Sequence, residues 1–322
     1  MAKVRPSWLL AILAAGLWIA PAASVHADAF AQSILVIDNF RLLSSAGTVY
    51  QLEHFAALAG NHSGRAGASL DQRSSSADSG PLPLSGPGMA DVARQFVGLP
   101  VAPGAENQMS PFLLGSLVPG SFGYADQQLA GLSTGMLLGQ GGNRAATQAV
   151  ASLKRDGAAA GQASLDHISS FHFTLGIGDS MHIAFNATPF AQAYLSAAAG
   201  GDGDALARMS WSVDIMNVNT GQLVFAFQPG ELNSMGDVSR SDSFAGMISY
   251  NPGTLAFQAQ TPYLYAGENY QMTIRQSTLA NAYQNSVMVP EPGGLALFGL
   301  ALLGMALCAR RRHAARSRGP SS

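Results

Sequence analysis

The chain has 322 residues and a formal charge of −2, from 17 lysines and arginines against 19 aspartates and glutamates. Setting aside two bases before residue 28, and five arginines and one glutamate after residue 289, leaves 10 bases against 18 acids, a body of about −8. Such a body lacks the clustered Lys and Arg that release counterions from phosphates, which argues against nucleic acid as a partner. The one cysteine, Cys308, excludes an intrachain disulfide and a Cys-based zinc site.

At the amino terminus, Lys3 and Arg5 precede an apolar run, Trp8 to Ala20, too short to span a bilayer comfortably. Val25-His26-Ala27 then supplies small residues at the −3 and −1 positions of a cleavage site. Residues 1–27 are expected to be a secretory signal peptide handled by the Sec translocase, cut between Ala27 and Asp28. An uncleaved membrane anchor is the alternative.

Residues 28–60 predict N-terminal strands. Ser33-Ile34-Leu35-Val36-Ile37 is short, apolar and β-branched, and Thr48 to Phe55 alternates after Gly47. From Gly60 the composition turns to Gly, Ser, Ala and Pro, so residues 61–165 are expected to be long loops or linker, a low-complexity insertion. Within it, Phe112, Leu113, Leu114, Leu117 and Phe122 are candidates to dock on the body. Arg144 to Arg155 reads as one short helix with Ala146, Val150 and Leu153 on a common face, ended by Gly157.

Residues 166–284 carry regular alternation. Phe171, Phe173, Leu175 and Ile177 face Met181, Ile183 and Phe185 across Gly178-Asp179-Ser180, which predicts a hairpin. Trp211, Val213 and Ile215 predict a second one with Leu223, Phe225 and Phe227, turning at Asn219-Thr220-Gly221. Asn251-Pro252-Gly253 reads as a tight turn between Met247–Tyr250 and Leu255–Gln260. Leu264 to Tyr270 has the pattern of a tyrosine corner, in which a tyrosine bonds back to the chain as a new strand begins. The expected fold is mainly β: an antiparallel sandwich, Greek-key/Ig-like or jelly-roll-like, with a barrel as the alternative.

Residues 285–322 differ in kind. Asn285 to Val289 is a spacer, and Pro290 and Pro292 exclude a strand. Gly293 to Ala309 is an apolar stretch at the lower limit for a transmembrane helix, and Arg310, Arg311 and Arg312 close it with the charge expected on the cytoplasmic side. A plain single-span anchor is one account of these parts. Val289-Pro290-Glu291-Pro292, the short Gly/Leu/Ala-rich helix and the Arg cluster, in that order, resemble the C-terminal sorting tag of PEP-CTERM proteins, the exosortase substrates of Gram-negative bacteria. The ten residues after Arg312 are more than that pattern leads one to expect. The resemblance implies export, a single-pass inner-membrane intermediate, processing by exosortase and release to the cell surface or beyond, in company with exopolysaccharide. The body is also similar, in overall pattern alone, to exosortase-dependent surface proteins.

Candidate chemistry is sparse. Gly131-Leu132-Ser133-Thr134-Gly135 matches the nucleophile elbow of esterases, but that elbow needs a strand entering and a helix leaving, and a chain so rich in Gly and Ser produces the pattern by chance. His172 and His182 fall two pairs apart in the expected hairpin, roughly 13 Å at about 3.3 Å per residue, too far for one metal ion. Gly200-Gly201-Asp202-Gly203-Asp204 lacks the further aspartate of a calcium-binding β-helix repeat, since Ala205 stands there, and lacks the twelfth-position glutamate of an EF-hand. Among the aromatics, Trp211 falls on the core series, while Tyr250, Tyr263, Tyr265 and Tyr283 are candidates for a sugar-binding face. No catalytic residue, metal or cofactor is expected. The expected role is that of a non-enzymatic surface or matrix protein, with a carbohydrate-binding module or adhesin as the alternative.

Overall fold

The computed structural model describes residues 28–83, 91–98, 105–112, 120–130, 143–173, 178–196 and 202–285. Within them the chain forms β1 (Ala29–Leu43), β2 (Phe55–Leu70), β3 (Arg73–Asp78), β4 (Leu82–Pro83), β5 (Val92–Gly98), β6 (Phe122–Ala130), β7 (Arg144–Leu153) and β8 (Gly157–Phe173). The second half adds β9 (Asp179–Leu195), β10 (Asp202–Asn217), β11 (Gln222–Phe227), β12 (Val238–Ser241), β13 (Gly246–Tyr250), β14 (Leu255–Leu264) and β15 (Tyr270–Asn285).

The strands make two sheets, and every pairing is antiparallel. One sheet runs β9-β1-β7-β6-β5, with β13 and β14 both on the free side of β9. The other runs β10-β15-β8-β2, with β11 and β12 on the free side of β10, and β3 and β4 on that of β2. The sheets pack face to face with β9 near β10, β1 near β15, β7 near β8 and β6 near β2. Both keep edge strands, so the molecule is a sandwich and not a closed barrel.

The space between the sheets has two characters. Toward one pole it is aromatic: Phe185 lies 4.3 Å from Trp211 and 5.1 Å from Phe257 between ring centres, and Tyr50, Phe55, Phe171 and Tyr270 form a second chain of ring contacts. Toward the other pole it is filled by Ala31, Ala149, Ala151, Ala163, Ala193, Ala205, Ala280 and similar small residues. Alanine brings little volume, so the sheets close up there until backbone meets backbone. A methyl group on Gly123 would strike the Ala160 and Ser69 carbonyl oxygens, and one on Gly161 would strike the Tyr124 carbonyl.

β1 is buried on both faces from Ala29 to Ile37. Its outer face is crossed by residues 105–112. Gln32 donates to the Phe112 carbonyl (2.9 Å) and accepts from the Phe112 N–H (2.8 Å), while Gln148 donates to the Ser110 carbonyl (3.0 Å). Phe112 packs on Phe122 and Tyr124, and Met109 lies against Ile34, Val36 and Ala146. This segment is a strap over the sheet.

Several expectations need correction. Residues 61–165 are not a loop-rich insertion: β2 to β8 lie wholly or partly within them and supply strands to both sheets. Serine, glycine and alanine suffice because the inward positions oppose equally small partners. Residues 144–153 are a strand and not a helix, since β7 sits in mid-sheet with both faces covered and so shows a continuous apolar run. The second strand starts at Phe55 and not at Thr48, with a 3₁₀ turn at Leu52–His54 before it. The expected 171–185 hairpin does not form. β8 pairs with β2 and β15, whereas β9 pairs with β1, β13 and β14 in the opposite sheet. Alternation reports which face is buried and is silent about the sheet a strand joins.

The 211–227 hairpin forms, with Val213 opposite Phe227, Ile215 opposite Phe225 and Gly221 at φ +68°. A register shift after Ile215 turns Leu223 outward, where it is 57% exposed. Asn251–Gly253 is not a hairpin turn. β13 and β14 both lie antiparallel to β9, Tyr250 opposite Ala191 and Leu255 opposite Ala187, so the segment is a break in one long edge strand.

β1 begins and β15 ends at the alanine-filled pole: Ala29 pairs with Leu153 and Leu195, and Asn285 with Asp202. Asp28 is fixed there by Lys154, whose ammonium lies 2.6 Å from its carboxylate, and its N–H donates to the Ser196 hydroxyl. Residues 1–27, expected to be a signal peptide, the Gly131–Gly135 motif and residues 286–322, including the expected helix 293–309, lie outside the described residues.

Candidate functional site

The aromatic pole ends in the turn that joins β14 to β15. Gly267 adopts φ +86°, which lets the chain reverse between the sheets. Tyr270, 2% exposed, places its hydroxyl oxygen 2.9 Å from the Tyr265 backbone N–H and accepts from it, so the tyrosine corner is present. Burial raises the Tyr270 phenol above its ordinary pKa, so it stays protonated at any physiological pH. The neighbouring β10–β11 turn is locked to this corner: Glu268 accepts from the side-chain amides of Asn217 (3.1 Å) and Asn219 (2.7 Å), and Asn269 donates to the Asn219 side chain (3.2 Å).

On this frame stand two exposed rings. Tyr263 is 52% and Tyr265 64% exposed, with ring centres 5.1 Å apart and planes at 71°. Tyr263 lies directly opposite Ser180 of β9, and a Cβ on Gly178 would run into its hydroxyl. Nearby, Asp179 accepts from the Tyr50 hydroxyl (2.9 Å) and the Ser45 N–H (3.0 Å). Burial alone would raise its carboxyl, but the bonds from Ser45, Tyr50 and Ser180 outweigh that and hold its pKa below the usual value.

The other sequence candidates scatter. Trp211 is 1% exposed and belongs to the core, as its series implies. Tyr250 packs partly on that core, and Tyr283, 45% exposed, sits at the alanine-filled pole, far from Tyr263 along the strands. His172 and His182 are in different sheets. Asp202, Gly203 and Asp204 open β10 as extended chain. Among the described residues, no three His, Cys, Asp or Glu side chains converge as a metal site would require.

Three buried polar side chains escaped the sequence reading. His62 and His167, 1% and 4% exposed, face each other across β2 and β8 in the interior. Asp126, fully buried beneath the strap, accepts from the Asn107 N–H (2.7 Å) and the Tyr124 hydroxyl (3.0 Å); burial raises its carboxyl despite those bonds. Their strands lie in the Gly/Ser/Ala-rich half, where no apolar alternation marked an inward side.

Fold and surface thus define a two-sheet β-sandwich whose aromatic pole presents a tyrosine pair. The tail says more: residues 289–312 match the PEP-CTERM protein-sorting motif. The chain therefore carries a tag that implies processing by exosortase and sorting to the surface or exterior of a Gram-negative cell. No curated protein matches the chain. Two solved structures of infectious bursal disease virus, the Gt and Gx strains, are 8% and 12% identical over 90% and 85% of this chain and 90% and 86% of theirs. Their TM-scores of 0.08 carry no argument.

Proposed function

We propose that the protein is an exported, non-enzymatic cell-surface or matrix protein that accompanies exopolysaccharide. In this account the Sec translocase exports it, residues 1–27 are removed, helix 293–309 holds an inner-membrane intermediate, and exosortase releases the body. The observation that carries the reading is the sorting motif at 289–312. The last described strand, β15, ends at Asn285, just before the motif, which supports it, because tag removal then leaves every described strand in place. The intact mass of the protein from each compartment of its host tests it. A chain beginning at Asp28 and ending before Gly293, outside the inner membrane, is expected. A chain still carrying Arg310, Arg311 and Arg312 in the inner membrane of cells with active exosortase would sink it.

A second reading, a carbohydrate-binding module or adhesin, is favoured by one observation. Tyr263, near the end of β14, and Tyr265, just after it, are exposed side by side.

A further inference from the structure

We propose that the outer face of β9 and β14, running into Tyr263 and Tyr265, is a binding strip for a polysaccharide chain. The proposal rests on the surface location above only for the source of the polymer. Rows of side chains cross this face. Gln258 lies opposite Ala184, and Ala184 opposite Arg41 of β1; Gln260 lies opposite His182; Tyr263 lies opposite Ser180. Gln258 and Gln260 are exposed and His182 is half-buried. The side chains of all three make no hydrogen bond to another described residue, whereas the amides at the neighbouring turn are mutually engaged.

The chemistry of the strip selects its ligand. A tyrosine ring offers an apolar face to the C–H side of a pyranose, and glutamine amides offer both donor and acceptor to its hydroxyls. A nucleic acid would need several cations, and this strip has Arg41 alone. Gln258 and Tyr263 lie opposite Ala184 and Ser180, four residues apart on β9, roughly 13 Å at about 3.3 Å each, the span of a short oligosaccharide. Preorganisation is built in. The backbone of Tyr263 is held by pairing to β9, and that of Tyr265 by the Tyr270 hydroxyl on its N–H, so little backbone freedom is lost on binding. Pro262 lies between the rows and removes one edge N–H, which discourages another strand from adding at this point.

Affinity electrophoresis of the protein purified from its host tests the strip, in gels holding hydroxyethylcellulose, polygalacturonate or the host's own exopolysaccharide. Retardation in at least one gel is expected, weakened tenfold or more in the Tyr263→Ala/Tyr265→Ala double variant and several-fold in Gln260→Ala. Tyr283→Ala, at the other pole, should migrate as wild type. Arg41→Ala should matter only if polygalacturonate is the gel that retards. Tyr265→Ala keeps the backbone N–H that Tyr270 accepts, and circular dichroism of each variant checks the fold. A correctly sorted protein retarded in no gel, or retarded equally in the double variant, overturns the proposal and leaves the sorting reading intact. A missorted protein that is retarded as expected does the reverse.

Discussion

His62 on β2 and His167 on β8 stand directly opposite one another in the space between the sheets, both almost wholly removed from water. Burial, aided by the neighbouring His62, pushes His167 down to about 4 from an ordinary value of 6.5. The sign follows. Above pH 6.5 both folded and unfolded chains hold the neutral ring, and stability is at its full value. As pH falls from 6.5 toward 4, the unfolded chain takes up the proton and the fold does not, so stability drops. The loss reaches about 3 kcal/mol, at 1.36 kcal/mol per unit of pKa. Urea melts at pH 7.5 and 4.5 measure it. In His167→Gln the part of the slope between these values that His167 contributes should disappear.

Gly161 and Gly123 lie where one sheet's backbone touches the other's. Gly161→Ala should therefore force the sheets apart and cost about 3 kcal/mol or more. Gly67 is the internal control. It lies on β2, and a methyl group there would meet the Ser76 side chain at an ordinary 3.9 Å. Gly67→Ala should change stability by no more than about 0.5 kcal/mol. Equal losses in the two variants would mean that the close approach is not what the glycine is for.

Tyr270→Phe leaves the ring in place and deprives the Tyr265 N–H of its acceptor. The expected cost is about 1 kcal/mol, the usual net worth of one such bond, read from a shift in the denaturation midpoint at unchanged slope. Amide exchange at Tyr265 should quicken while exchange in β1 stays as it was.

Gln32 holds the strap by both atoms of its amide and also donates to Gln192 at 2.7 Å. Gln32→Leu keeps the bulk and removes all three bonds, leaving the Phe112 carbonyl and N–H without this partner. Residues 105–112 should become sensitive to limited proteolysis, and global stability should fall by about 1–3 kcal/mol.

The sequence made the class of fold legible through side-chain alternation in its second half, and the local signals with a mechanism held best. Gly221 and the Leu264–Tyr270 corner were readable because a positive φ and a buried hydroxyl each demand a particular residue. The first half misled because its core is alanine, glycine and serine, residues that fill a thin interlayer as well as a loop. Beyond the 211–227 hairpin, sheet membership was not legible. Phe173 and Phe185 alternate in phase, yet they pair with Phe55 in one sheet and Phe257 in the other. At the candidate site, the two tyrosines could be named from their flanks, but the amide row beside them depends on a register shift between Gln260 and Tyr263 that no local pattern announces.

The chain enters and leaves the sandwich at the same pole, with Ala29 and Asn285 both on its final rungs. Scission before Asp28 or after Asn285 therefore leaves every described strand stitched to its neighbours. The pole opposite those two ends is the one that presents Tyr263 and Tyr265.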